Sequence, residues 1–285
     1  MTMNLSRKDE IRKLLKLSPA QLQKRGGRKL VVLPDIDLLH QHFAESIAAE
    51  IQANNSKRRA TKLILPVGPV GQYPILAKMI NDQQINLKQC WFFMMDEHCD
   101  DNGVALSSEH PLSFRHTFNE QFASQVKRKL MIPAKQLVFP DHLNVHTLKE
   151  RMAAVGGIDT TYGGIGIHGH IAYNEPESDV LHSDPRLVYL NEFTRTINAI
   201  RAEIGGNLEG HPRKGVTLGM RQLLGAKRIR LYCRNGISLD WANTVLRLAL
   251  LGQPGDDYPV THIRNHRNFV IVTDEQTARK PKFVV

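Results

Sequence analysis

Short, largely apolar strand-like runs recur along the chain, and helical patterns separate them. Leu30–Leu33, Lys62–Val67 (KLILPV), Gln89–Met95 (QCWFFMM), Thr161–Ile167, Arg228–Cys233 (RIRLYC) and Phe269–Thr273 (FVIVT) are the runs. Between them, Asp35–Ala53, Tyr73–Asn81, 111–123, 145–155, Thr217–Leu224 and Leu239–Leu251 carry helical spacing. A strand with one solvated face alternates apolar and polar residues. A run that is apolar throughout must be covered on both faces, which is the condition of a parallel sheet. The pattern predicts an α/β fold, a Rossmann-like open, mostly parallel sheet with helices on both faces.

The chain has 285 residues and a net charge of +10. Residues 1–29 hold nine Lys/Arg against Asp9 and Glu10, so seven of the ten charges lie there and the other 256 residues carry three. We therefore expect a basic helical extension over 1–29, with Ser18 as an N-cap and Pro19 at the first helical position. A single α/β domain follows over 30–285. The basic block lacks interleaved aromatic residues and any nucleic-acid motif, so no nucleic-acid partner is expected. No apolar run approaches the roughly 20 residues of a membrane helix. Three scattered cysteines (Cys90, Cys99, Cys233) suit neither a disulfide framework nor a Cys-x-x-Cys metal site, and a reducing cytoplasm is the expectation.

In an open parallel sheet, ligands sit outside the carboxyl ends of the strands. Three polar motifs fall there. Asp96-Glu97-His98 follows QCWFFMM. A part-buried carboxylate at that point can serve as a base near neutral pH, or the pair can simply cap the next element. Gly163–Pro176 (GGIGIHGHIAYNEP) brings His168, His170 and Glu175 into a flexible loop, with Gly169 between the histidines. A histidine beside a carboxylate can shuttle a proton to a sugar oxygen. The same residues also fit a plain glycine turn, or a metal ligand set. The third motif, Gly68-Pro69-Val70-Gly71-Gln72, can hold a phosphate between strand and helix, or be an ordinary turn.

GGIGIHGHIAYNEP resembles the signature of the glucosamine-6-phosphate deaminase/isomerase family, G-x-G-x-D-G-H-I-A-F-N-E-P. MMDEHCD is similar to its M-D-E-Y segment, LILPVGPVGQYP to its strand and T-G-G-T-P loop, and Lys214–Ala226 to its late A-x-T-x-G…L-L-x-A segment. The likeness runs in order over residues 30–275. It implies Asp96 as the base between C1 and C2, His170 for ring opening and Glu175 as its carboxylate partner. It also implies a phosphate site from Gly68, Gly71 and Gln72 with Arg201, Arg213 or Lys214, and Glu97 and Gly169 in the binding shell. Neither cofactor nor metal is implied, and many relatives are homo-oligomers. Three of the chain's departures from the pattern bear on the substrate shell. His168 stands where the family has aspartate, the phosphate loop has lost its hydroxyls, and Arg201 comes one position late after Thr194-Arg195-Thr196-Ile197-Asn198.

Three readings follow. The first is an amino-sugar-phosphate isomerase that can also deaminate. The second is a non-catalytic sugar-phosphate-binding protein on the same fold. The third is a hydrolase, either of 6-phosphogluconolactonase type or metal-dependent through His168 and His170.

Overall fold

The computed structural model describes residues 6–235 and 240–285, so the helix start expected at Leu239 lies outside it. The elements in chain order are α1 (Arg7–Leu15), α2 (Pro19–Gly26), β1 (Leu30–Leu33), α3 (Ile36–Asn55), β2 (Thr61–Leu65), α4 (Gln72–Asp82) and β3 (Cys90–Met94). Next come β4 (Asp96–Cys99), α5 (Phe114–Phe118), β5 (Leu137–Val138), α6 (Leu148–Ala154), β6 (Thr160–Gly164), β7 (Arg186–Tyr189) and α7 (Glu192–Arg201). The rest are β8 (Lys214–Thr217), α8 (Met220–Leu224), β9 (Arg228–Cys233), α9 (Ala242–Leu251), β10 (Phe269–Asp274) and α10 (Glu275–Ala278).

Seven strands form one parallel sheet in the order β1-β10-β9-β6-β2-β3-β5. The apolar runs are explained by its two covers. Leu63 and Leu65 of β2 and Phe92 and Met94 of β3 face α3 and α4, where Phe43, Ile47, Tyr73 and Leu76 bury them. Ile64 and Phe93 point the other way, into a core with Leu231, Ile271 and the helices α8 and α9. Each fully buried side chain of this size contributes about 1.5–3 kcal/mol. Local signals set the helix ends. The Asp35 carboxylate accepts the Leu38 N–H at 2.8 Å to start α3, and Ser18 and Gln21 form a capping box on α2.

A second sheet was not legible in the sequence. It is three-stranded and antiparallel, in the order β4-β8-β7, and pairs Asp96 and Arg186 with Thr217. The helix expected over Thr217–Leu224 is corrected accordingly: 214–217 is strand, and α8 begins only at Met220. Gly215 is required in β8, because a Cβ there would meet the Tyr173 ring at 2.8 Å. The segment 111–123 is helical from Phe114, with its last turn π-helical and closed by Ser124 N–H to the Asn119 carbonyl.

The chain runs from β2 outward to β3 and β5, then returns to place β6 on the other side of β2. The crevice between the ends of β2 and β6 is thus the topological switch point. α1 and α2 pack on α9 through Leu14, Leu17 and Leu248. Arg247 of α9 is fully buried and donates to the carbonyls of Leu17 at 3.3 Å, Ala278 at 3.0 Å and Arg279 at 3.3 Å. It has no carboxylate partner among the described residues. Arg247→Met should lower stability by about 3 kcal/mol, because three buried carbonyls lose their donor. Thermal unfolding checks this, and an unchanged midpoint would contradict it. No described helix is long and apolar enough to cross a membrane.

Candidate active site

A pocket opens at the switch point. Its walls are Pro66, Gly68 and Pro69 after β2, Met95 and Asp96 after β3, and Gly164, Gly166, His170 and Tyr173 after β6. Asn198 and Arg201 from α7 and Tyr232 and Arg234 from the end of β9 complete it.

The two adjacent carboxylates divide the roles that the sequence left open. Glu97 is 1% exposed and caps α5. Its oxygens accept the Ser113 hydroxyl at 3.0 Å and the N–H groups of Phe114 at 2.7 Å, Arg115 at 2.9 Å and His98 at 2.9 Å. It does not reach the pocket. Asp96 points into the pocket, 7% exposed, and no described group hydrogen-bonds its carboxyl. Burial, with the charge of Glu97 adding to it, pushes Asp96 up to about 8. A carboxyl of that basicity is poised to take a proton near neutral pH.

His170 turns its ring toward Gly166, where a Cβ would sit 1.8 Å from Nε2; only glycine leaves room for the ring. Its Nδ1 lies 3.5 Å from the Thr194 hydroxyl. Burial, then the positive charge of Arg201, then His168, push His170 down to about 4, so the imidazole is neutral at pH 7. Glu175 does not bond His170 directly. One of its oxygens accepts the Asn191 N–H at 2.8 Å, and the other is buried without a described partner. Burial raises Glu175, and the nearby Thr194 hydroxyl and the Asn191 N–H offset part of that rise. The 1%-exposed Thr194 hydroxyl therefore faces both the carboxylate and the imidazole. His168 is in the left-handed region at φ 58 and stacks edge-on against Phe193 at 4.5 Å, off the pocket wall. Among the described residues no three His, Cys, Asp or Glu side chains converge as a metal site.

Two departures from the family motifs meet each other. His98 stands where the motif has tyrosine, and Tyr173 where it has phenylalanine. His98 Nδ1 lies 2.7 Å from the Leu112 carbonyl, which can only accept, so Nδ1 carries the proton. Nε2 then accepts the Tyr173 hydroxyl at 2.6 Å. Burial pushes His98 down to about 4 and Tyr173 well up, so this pair is neutral and fixes one wall beside Asp96. Asn174 locks the loop from behind, donating to the carbonyls of Ile171 at 3.0 Å and Leu218 at 2.9 Å.

Of the three cations the sequence pointed to, one lines the pocket. Arg213 is exposed and pairs with Glu209. Lys214 donates to the Asp101 carbonyl at 2.7 Å and lies over the Tyr189 ring at 4.9 Å. Neither lines the pocket. Arg201 does, and keeps solvent access at its mouth, with its guanidinium 5.6 Å from the Trp241 ring. Arg234 was missed, yet it follows the β9 run as directly as Asp96 follows β3, and the strand-end rule applies to both. No described carboxylate lies within ion-pair distance of Arg201 or Arg234. Of the glycine loop, Gly68 reaches the pocket. Gly71 instead packs against His40, and Gln72 is fully buried with its amide donating to the Pro69 carbonyl at 2.6 Å. Gly169, at φ +67, packs against Val260 and Tyr258.

No family model matches the chain. Among curated proteins, it is 30% identical over 262 residues to a glucosamine-6-phosphate deaminase of Parabacteroides distasonis, covering 87% of this chain and 89% of that one. The chain belongs to the glucosamine-6-phosphate deaminase family. The deaminase of Clostridium perfringens is 27% identical over 88% of this chain and 98% of its own. Among solved structures, a monomeric glucosamine-6-phosphate deaminase shares the fold at TM-score 0.75 and 23% identity, over 88% of this chain and 98% of that one. A 6-phosphogluconolactonase from Thermotoga maritima shares it at TM-score 0.64 and 18% identity, over 87% and 100%. The glucosamine-6-phosphate deaminase family thus accounts for the order of the motifs along the chain.

Proposed function

We propose that this family member converts glucosamine 6-phosphate to fructose 6-phosphate and ammonia. One observation carries the reading: a carboxyl raised to about 8, with no described partner, shares a pocket with a neutral histidine and two arginines that lack a described carboxylate partner. The arginines take the phosphate, which supplies binding energy remote from the reacting carbons and orients them. His170 exchanges a proton with the ring oxygen as the sugar opens. Asp96 removes the C2 proton, and the electron pair moves to form the C1–C2 double bond of an enolamine as the aldehyde oxygen gains a proton. Asp96 returns a proton to C1, leaving an iminium at C2. Water adds there, and ammonia leaves to give the ketone.

In this scheme Thr194 transmits the influence of Glu175 to His170. Thr194→Val should lower kcat about tenfold and shift its pH profile, and Thr194→Ser should restore both. A valine variant equal to wild type would remove Thr194 from the scheme.

The test is ammonia and ketose formation from glucosamine 6-phosphate, run beside hydrolysis of 6-phosphogluconolactone. Equimolar ammonia and fructose 6-phosphate are expected. Lactone hydrolysis alone would replace this reading by the hydrolase one. Folded protein that is silent on both, yet thermally stabilised by sugar phosphates, would leave a binding protein.

A further inference from the structure

The charge of the chain divides sharply along it. The family likeness covers residues 30–275, and within that span basic and acidic residues cancel. The whole net charge of +10 lies in the two flanking segments. Seven charges are in residues 1–29, and three are in residues 276–285 (Arg279, Lys280 and Lys282, with no acid). The Clostridium perfringens deaminase is matched over 98% of its own length and leaves 12% of this chain unmatched.

The fold brings the two segments together. Arg247 donates both to Leu17, between α1 and α2, and to Ala278 and Arg279 at the end of α10. Of the basic residues in these segments, Arg7 and Arg12 have ion pairs with described carboxylates. Lys13, Lys16, Lys24, Arg25 and Lys280 are exposed without one. The termini also carry an exposed aromatic ring, Phe283, with the Lys282 ammonium 5.4 Å from its centre. The sequence alone showed no aromatic residue within the basic block; the aromatic lies at the other end of the chain.

We infer that the joined termini form a docking surface for the phosphodiester backbone of a nucleic acid, apart from the pocket and independent of its chemistry. Cations without partners gain by releasing the counterions of a polyanion, and an exposed ring beside a lysine stacks on an unpaired base. A membrane fits less well. An interfacial helix needs a free apolar face, whereas Leu14, Leu15, Leu17 and Leu22 are all buried against the body of the protein.

The test is fluorescence anisotropy of a labelled single strand of about 20 nucleotides with the full chain, from about 50 to about 200 mM salt. With about five phosphates engaged, affinity should fall about a hundredfold across that range. Lys13→Glu/Lys16→Glu/Lys24→Glu/Arg25→Glu should weaken binding at least about thirtyfold at low salt, with the deaminase assay unchanged. The four Gln substitutions should give an intermediate loss and guard against a folding defect. Absence of binding at about 50 mM salt, or equal binding by the Glu variant, would overturn the inference. So would binding to phosphatidylserine vesicles but not to the oligonucleotide.

Discussion

Asp96→Asn should cost about a thousandfold in kcat on glucosamine 6-phosphate, the upper part of the range for losing a general base. The amide keeps the shape of the carboxyl, and no described hydrogen bond depends on it, so the variant should fold. The sign of its stability effect follows from linkage. Folded Asp96 holds its proton up to about 8, whereas an unfolded aspartate loses it near 4. The folded state therefore binds more protons between those values, and wild-type stability falls as pH rises from about 4 to about 8. Asp96→Asn lacks that term, so its melting temperature should gain on wild type as pH rises through the window. The same basicity sets the activity profile. At pH 7 roughly a tenth of the free enzyme carries Asp96 ionised, so kcat/KM should rise with pH toward about 8. A flat profile from pH 6 to 8, or full activity in the Asn variant, would remove Asp96 as the base.

Removal of the two pocket arginines should have the second largest effect. Hydrogen bonds to charged groups contribute about 1.5–3 kcal/mol each, so Arg234→Met should raise KM about tenfold to a hundredfold. Arg201→Met/Arg234→Met should lower kcat/KM by about a thousandfold or more, part of it in kcat, since phosphate binding also fixes the reacting carbons. Inorganic phosphate supplies a control free of turnover: it should inhibit the wild type competitively and the double variant hardly at all. An unchanged KM in Arg234→Met would contradict the assignment.

The parallel sheet was legible because β3 is apolar at every position and β2 over Leu63–Leu65, which only a doubly covered strand requires. The small antiparallel sheet was not. Its strand β4 is Asp-Glu-His-Cys, four buried residues of which three are polar, and β8 contains a glycine demanded by Tyr173 rather than by strand propensity. Asp96, His170, Gly68 and Arg201 share the pocket, as strand ends and loop motifs that point to the rim of the sheet suggest. Arg213 and Lys214 lie off the pocket, because nearness to a motif along the chain does not decide which way a side chain on an edge hairpin faces. Thr194 was hidden for a related reason. It sits in α7 with an ordinary helical pattern, and only the packing of α7 over the loop brings its hydroxyl to His170.

The central claim is that Asp96 carries a proton from C2 to C1 of an amino-sugar phosphate. Glucosamine 6-phosphate deuterated at C2, incubated with the protein in ordinary water and followed by NMR, tests it most directly. The account predicts fructose 6-phosphate that carries part of that deuterium at C1, one ammonium for each ketose, and no product from Asp96→Asn. Ammonium without ketose, or the same product from the Asn variant, would contradict it.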